Sequence, residues 1–322
     1  MTPLIFQPLL KRTRWGGRRL ESRLNKRLDQ ENDYAESWEI TDLHADQSIV
    51  QQGEYAGWSL HRLVEERSNE LLGQHASLDQ FPLLIKFLDA QDRLSLQVHP
   101  NDSQAKMIGK KENGKAEAWI IIDAILGSRL YTGLKQGVTQ TILKEALHAG
   151  TSEKCLHSYE VHSGDVIFNP AGTVHAIGEG ILLAEVQQPS DITFRLFDWK
   201  RLDSNGKPRD LHINEGLACI NFEQGPVNPI HPKILSEGKY SLEELVHCKQ
   251  FVIRRHRATV PFSLLTENRF RVLMTLAGVA SLQVANEKFP LATGSTILIP
   301  ASCEEVTILP QPDLLLIESF MP

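Results

Sequence analysis

The chain has 322 residues, 34 Lys and Arg against 40 Asp and Glu, and a formal net charge of −6. That length suits one large domain or two of ordinary size. Plentiful, mixed charges exclude large-scale disorder, and the acid excess excludes a nucleic-acid surface or a polybasic membrane anchor, so an anionic ligand would need a local basic pocket. No apolar run approaches the roughly 20 residues needed to cross a bilayer. The N-terminal stretch Met1–Leu10 is interrupted by Pro3 and Pro8 and has no basic leader, unlike a signal peptide. Cys155, Cys219, Cys248 and Cys303 are scattered without a C-x-x-C pair. The expectation is a cytoplasmic protein with reduced thiols.

In chain order, Lys11–Arg19 is basic but broken by Trp15-Gly16-Gly17 and reads as a solvated face. The spacing of apolar residues predicts helices over Trp58–Leu72 and Thr139–His148. Runs of strand formers predict strands over Phe81–Ala90, Leu94–His99, Ala118–Ala124, Asp165–Phe168, Ile181–Gln187 and Thr193–Asp198. A third helix is expected over Arg209–Phe222, begun by Pro208. The segment Gln224–Pro232, with Pro226, Pro229, Pro232 and Gly225, is the linker candidate. Beyond it, Phe251–Arg257, Arg271–Leu276, Ser281–Val284, Ser295–Ile299 and Leu314–Phe320 read as a second, nearly all-strand unit. His148, His157 and His162 read as surface residues. Trp15, Trp38 and Trp119 read as core or pocket wall rather than as sugar-stacking platforms.

One motif carries more than its secondary structure. Gly164-Asp-Val-Ile-Phe-Asn-Pro170-Ala-Gly172-Thr-Val-His175 is a strand that stops at proline, turns through glycine and resumes on a histidine. Proline cannot donate into a strand ladder and glycine relaxes the turn, so a ligand-type side chain stands just past a strand end. The pattern resembles the second motif of the cupin barrels, double-sheet jelly rolls that often hold one metal ion. A faded copy follows in Gly294-Ser-Thr-Ile-Leu-Ile-Pro300-Ala-Ser302-Cys-Glu-Glu305. It keeps the glycine and the proline but has Ser302 for the second glycine and Glu305 for the histidine. The expectation is a mainly β protein of tandem cupin-type jelly-roll barrels with helical insertions in the N-terminal half. Residues 1–235 would form the metal-binding unit, and residues 236–322 a smaller β unit without a metal site.

Partners for His175 lie upstream. Leu94-Ser-Leu-Gln-Val-His-Pro100 alternates strictly, so Ser95, Gln97 and His99 share one face. In Gly114-Lys115-Ala-Glu117-Ala-Trp119, Lys115 and Glu117 share a face at the start of an apolar strand, which is costly unless they are paired or ligated. Two imidazoles, a carboxylate and an amide oxygen make a four-ligand set suited to zinc, with room for water or substrate.

These stretches, together with Glu36-Ser-Trp-Glu39, His175-Ala-Ile-Gly178 and Glu185-Val-Gln-Gln-Pro-Ser-Asp-Ile-Thr-Phe-Arg-Leu-Phe-Asp198, resemble the type I mannose-6-phosphate isomerases in their shorter bacterial form. The likeness runs from about Arg14 to the C-terminal barrel. It implies one Zn2+ per chain held by Gln97, His99, Glu117 and His175, with Arg195 facing the substrate and Lys115 beside the metal. It further implies Ser95 as a phosphate or hydroxyl contact, with Lys86 either on the phosphate or an edge-strand lysine with its head in water. Ala116 and Ala118 flank Glu117 where relatives often carry Thr and Cys, and Pro189 replaces a small polar residue.

The activity so implied interconverts mannose 6-phosphate and fructose 6-phosphate through a cis-enediol, with metal and Arg195 stabilising developing charge. Lys115, Glu185 and a metal-bound water remain open as the general base, and Lys115 could instead be the structural partner of Glu117. The rival reading is a non-catalytic, metal-holding cupin that binds a sugar phosphate, on a monomer or homodimer in either case. An oxygenase or decarboxylase on the same barrel usually carries His-x-His where this chain has Gln97-x-His99.

Overall fold

A computed structural model describes residues 1–109, 113–202 and 206–322. The N-terminal part opens with β1 (Leu9–Gly17), α1 (Arg19–Leu24), β2 (Tyr34–Ile40) and a small hairpin, β3 (Asp42–Leu43) and β4 (Asp46–Gln47). Next come α2 (Leu60–Leu72), β5 (Leu84–Ala90), β6 (Leu96–Val98), α3 (Asp102–Met107), β7 (Glu117–Ala124) and β8 (Arg129–Leu134). They are followed by α4 (Gln140–Ala149), β9 (Leu156–Glu160), β10 (Val166–Asn169), β11 (His175–Ile177), β12 (Ile181–Gln187), β13 (Phe194–Phe197) and α5 (Ile213–Cys219). The C-terminal part holds β14 (Lys233–Ser236), β15 (Tyr240–His247), β16 (Val252–Ala258), β17 (Phe262–Leu265) and β18 (Arg271–Val284). It ends with β19 (Glu287–Ala292), β20 (Thr296–Ile299) and β21 (Glu305–Phe320).

The helices begin where capping chemistry allows. Ser59 accepts from the Arg62 amide to start α2, and Thr139 accepts from Ile142 to start α4, which stops at Gly150 in the left-handed conformation. The third expected helix is shorter than its apolar spacing suggests. Pro208 is held in a bridge with Leu202, and Arg209 turns toward Asp198 instead, so α5 starts only at Ile213. The linker candidate is not free chain either. Val227 donates to Thr132 and Ile230 to Val166, which lays the proline-rich segment along the N-terminal barrel.

Two antiparallel sheets form the N-terminal barrel, in the orders β1-β2-β5-β12-β7-β10 and β13-β6-β11-β8-β9. The first order recurs in the C-terminal part as β14-β15-β16-β21-β18, with β20 paired to β18 as β10 is to β7. The mainly β, tandem-barrel expectation is met, and the repeated motif sits at the same turn in both. Gly164 and Gly294 have φ of +93° and +84°, and a Cβ on Gly294 would lie 1.8 Å from the Leu24 carbonyl oxygen. The faded copy keeps its glycine for that reason.

The central strands β5 and β12 are buried along their whole length because both faces of their sheet are covered. Leu88, Leu183 and Ile181 face the barrel interior with Trp119, Leu130 and Ile177. The alternate residues Ile85, Phe87, Leu182 and Val186 face outward and pack with Phe251, Ile253, Phe270, Val272 and Ile317 of the C-terminal sheet. The two barrels therefore share one core, with Phe81 and Phe270 in ring contact at 4.7 Å. Phe270→Ala is expected to lower the stability of the whole chain by about 3–5 kcal/mol in a single cooperative transition, read as a shift in the urea midpoint. Separate unfolding of two parts would contradict the shared core.

The five-stranded sheet is covered on the other side. Leu96, Val98, Phe194 and Leu196 pack outward against Leu143 and Leu147 of α4 and Leu217 of α5. Their strand neighbours Gln97 and Arg195 therefore point into the barrel.

Candidate active site and metal centre

The ligand-type side chains meet at one end of the N-terminal barrel. Gln97 on β6 is in register with His175 on β11 and with Arg195 on β13, while Glu117 opens β7. The ligating atoms of His99, Glu117 and His175 all lie within 4.8 Å of one another, and the three residues are buried.

Their protonation geometry leaves lone pairs facing one another. His99 Nδ1 lies 2.7 Å from the Ile192 carbonyl and His175 Nδ1 lies 2.9 Å from the Thr173 carbonyl. Those carbonyls accept only from protonated nitrogens, so both Nδ1 atoms carry the proton and both Nε2 atoms present lone pairs. His175 Nε2 stands 3.1 Å from Glu117 Oε1, a carboxylate oxygen without a hydrogen-bond donor. With the rings neutral, as burial favours, two acceptors stand at that distance with no proton between them, and a cation would relieve them, so the donor set fits a metal ion. The Gln97 amide lies 3.2 Å from His175 Nε2, and rotating it by half a turn brings its oxygen to the same point. Burial depresses the pKa of both imidazoles, with the nearby Lys115 ammonium adding to the effect on His99.

Lys115 stands against this cluster. Its Nζ contacts Glu117 Oε2, lies 3.1 Å from His99 Nε2 and reaches within 4.0 Å of Glu185 Oε1. Glu185 Oε2 accepts from Trp119 Nε1 at 3.0 Å. Burial alone would raise the Glu185 pKa, but Lys115 and Lys86 outweigh it and hold the carboxyl below its ordinary value. Lys86 is not an edge-strand lysine. It sits on β5 between β2 and β12, with Glu36 at 3.5 Å and Glu185 at 3.6 Å, over the Trp38 ring. Burial opposes its charge, yet the two carboxylates raise its pKa above the usual lysine value.

A cavity of about 370 Å3 opens over these groups, lined among others by Lys86, Ser95, Gln97, Lys115, Glu185 and Arg195. Arg195 donates through Nη1 to the Asp210 carbonyl at 3.0 Å, while its buried Nε has no partner. Burial, then the neighbouring Arg209, depresses its pKa from the usual arginine value.

Sequence reasoning did not single out Glu36, Asp191 or Arg209, which also line the cavity. The alternation in Tyr34–Ile40 could have paired Glu36 with Trp38, whose Nε1 donates to it at 2.7 Å. Arg209 gives no signal because it opens a stretch whose apolar spacing is helical. Asn169 was missed too, directly across the ladder from Glu117 and buried with both amide atoms unpartnered.

Asp198 ties the rim together, accepting from Arg201 Nη2 at 2.7 Å and from Arg209 Nη2 and Nε at 2.6 and 2.8 Å. Burial raises its pKa, but the two guanidinium groups win and hold it below the usual carboxylate range. A carboxylate lowered in the folded state stabilises above its unfolded pKa of about 3.9 and loses that contribution as pH falls through the folded value. The urea midpoints of wild type and Asp198→Asn should therefore differ at pH 7, and the difference should shrink as pH falls below about 3.9.

Comparison with known proteins agrees with this geometry. Residues 4–119 match the family described as phosphomannose isomerase type I, catalytic domain. The chain is 33% identical to mannose-6-phosphate isomerase ManA of Bacillus subtilis, over 92% of this chain and 93% of that protein. It belongs to the type I phosphomannose isomerase family. A mannose-6-phosphate isomerase of Streptococcus mutans is 32% identical over 92% of both chains. The crystal structure of the Bacillus subtilis mannose 6-phosphate isomerase superposes with a TM-score of 0.92 at 29% identity, covering 99% of each chain. A phosphomannose isomerase from Salmonella typhimurium shares the fold at 18% identity, with a TM-score of 0.79. No helix among the described residues is long and apolar enough to cross a membrane.

Proposed function

We propose that this chain is a zinc-dependent aldose–ketose isomerase that interconverts mannose 6-phosphate and fructose 6-phosphate through a cis-enediol. The observation that carries the reading is the facing lone pairs of His99, His175 and Glu117 beneath a cavity ringed by Lys86, Lys115 and Arg195. The relatives named above supply the substrate. His99, His175, Glu117 and the Gln97 amide oxygen would hold the metal, which as a Lewis acid polarises sugar oxygens that gain charge. The donor set suits zinc without excluding neighbouring divalent ions.

The protein's own groups do the rest. Arg195 presents a fixed guanidinium with an unused Nε to the phosphate or the enediolate. Lys86, from the six-stranded sheet, and Ser95, just before β6 of the five-stranded sheet, line the same cavity and would bind phosphate or hydroxyls. Lys115, held between Glu117 and Glu185, lies where a proton could pass to and from the carbons of an open-chain sugar. That placement supports a catalytic role over a purely structural partnership with Glu117, because the same ammonium also lines the cavity.

The division of labour follows the repeat. Residues 1–235 would carry the chemistry and residues 236–322 a second barrel without metal. Matching ladders place Glu318 opposite Arg254 as Glu185 is opposite Lys86. In the second barrel His256 Nε2 lies 3.1 Å from Glu318, and Arg271 at 3.2 Å from it provides a built-in cation.

A coupled assay with mannose 6-phosphate tests the function. Turnover should be lost on chelation and restored by zinc. A metal-loaded protein that turns nothing over would be the non-catalytic cupin instead.

A further inference from the structure

Three segments must be held together for the donor set to exist: the end of β6 with His99, the start of β7 with Glu117, and the turn after β12. One side chain in that turn bonds to the second segment and to Asp102, three residues past His99. Gln188 Oε1 accepts from the Ala116 amide at 3.0 Å, and the Gln188 amide donates back to the Ala116 carbonyl at 3.1 Å. Gln188 Nε2 donates to Asp102 Oδ1 at 2.9 Å, and the same oxygen accepts from the Gly114 amide at 2.9 Å. The backbone N–H of Lys115 donates to the Pro100 carbonyl at 3.0 Å. Gly114 sits so close to this turn that a Cβ would lie 2.4 Å from the Asp102 nitrogen. The turn itself is fixed by Gln187 Nε2, which donates to the Gln188 and Ser190 carbonyls at 2.8 Å each. It also presents the Ile192 carbonyl that orients His99.

We propose that Gln188 is a positioning residue for the metal centre, acting with Asp102 as a latch that fixes Glu117 and Lys115 relative to His99. This rests on the metal-dependent isomerase reading above and adds what holds its ligands in register. Ala116 lies between Lys115 and Glu117 in sequence, so a shift of its backbone moves a cation and a ligand together. Ligating carboxylates tolerate little displacement, and the partners that orient them commonly change metal affinity 10–100-fold. The amide is suited to the task because it must accept from a backbone N–H and donate to a carboxylate at once. Gln188 is 8% exposed and its bond to Ala116 is buried, so water does not readily replace that bond. The latch has solvent on its outer side, where Asp102 and Gln188 line a groove of about 1070 Å3 with Asp79 and Lys106. Loosening it would open the ligand strand to water from behind.

Replacing the donor with a carboxylate provides the test. Gln188→Glu keeps the acceptor for Ala116 but sets a carboxylate against Asp102. Gln188→Ala removes both bonds without adding charge, in case the acidic variant folds poorly. In wild type and variants, zinc loss to a colorimetric chelator is timed, thermal melting is recorded, and kcat and KM for mannose 6-phosphate are measured at saturating zinc. Both single variants should release zinc roughly tenfold faster or more, with kcat falling and KM staying within about twofold. Asp102→Ala removes the other half of the latch and should also speed release, and adding it to Gln188→Ala should speed release by less than the product of the two single effects. Unchanged zinc release in the Gln188 variants, or fully multiplicative effects when Asp102→Ala is combined with Gln188→Ala, would overturn the latch. A wild type that holds zinc but turns nothing over would sink the isomerase reading, and zinc release would still score the latch.

Discussion

His175→Ala should leave the protein folded with little bound metal and turnover reduced by well over a hundredfold. Removing a first ligand exceeds the 10–100-fold that partners of a ligand usually command. His175 is 1% exposed and its ring meets Trp119 edge-on at 5.3 Å, so some packing is lost with the imidazole. The β11 backbone ladder to Gln97 and Thr132 does not involve the side chain. Elemental analysis of the purified variant, with a thermal melt beside it, separates loss of ligand from loss of fold. Full zinc in a folded His175→Ala protein would show that the lone pairs at His99, Glu117 and Gln97 suffice, and that the four-ligand assignment is wrong.

Arg195→Ala should have the opposite profile: zinc retained, kcat/KM down by about 100–1000-fold. That is the scale at which losing one fixed donor to developing charge is felt. The backbone of Arg195 stays in its ladder with Gln97, and the guanidinium touches no metal-ligating atom, so the centre itself should be undisturbed. Arg195→Lys keeps the charge without the planar fork and should fall between wild type and alanine. Steady-state kinetics at saturating zinc read both. Near-normal turnover in the alanine variant would remove Arg195 from the mechanism. A drop in zinc content would make it a structural residue.

Much of this centre was legible because the chemistry is local. Leu94–Pro100 and Gly114–Trp119 each place two polar groups on one face within a few residues, and Gly164–His175 announces a strand end with a ligand just past it. Residues whose role depends on remote contacts were not legible. Lys86 could be an edge lysine in water until β2 and β12 are seen on either side of it. Arg209 reads as the first turn of a helix until Asp198 captures it. Gln188 reads as an ordinary residue beside a proline, because both its partners are 72 and 86 positions away.

The sequence by itself determined that the chain is strand-rich, that its motif recurs, and which side chains have ligand chemistry, since strand alternation and turn residues are properties of neighbouring positions. It could not determine which face of β6 is the inside. An alternating strand ordinarily turns its polar face to water, and Ser95, Gln97 and His99 would then be surface residues. Helices α4 and α5 settle the matter by covering Leu96 and Val98 from outside, which leaves the polar face to line the barrel. Burial there removes water from the imidazoles and the carboxylate and leaves their ligating atoms within 4.8 Å of one another, a donor set that fits a cation. Only the packing of elements distant in sequence could bring them together as a candidate metal centre.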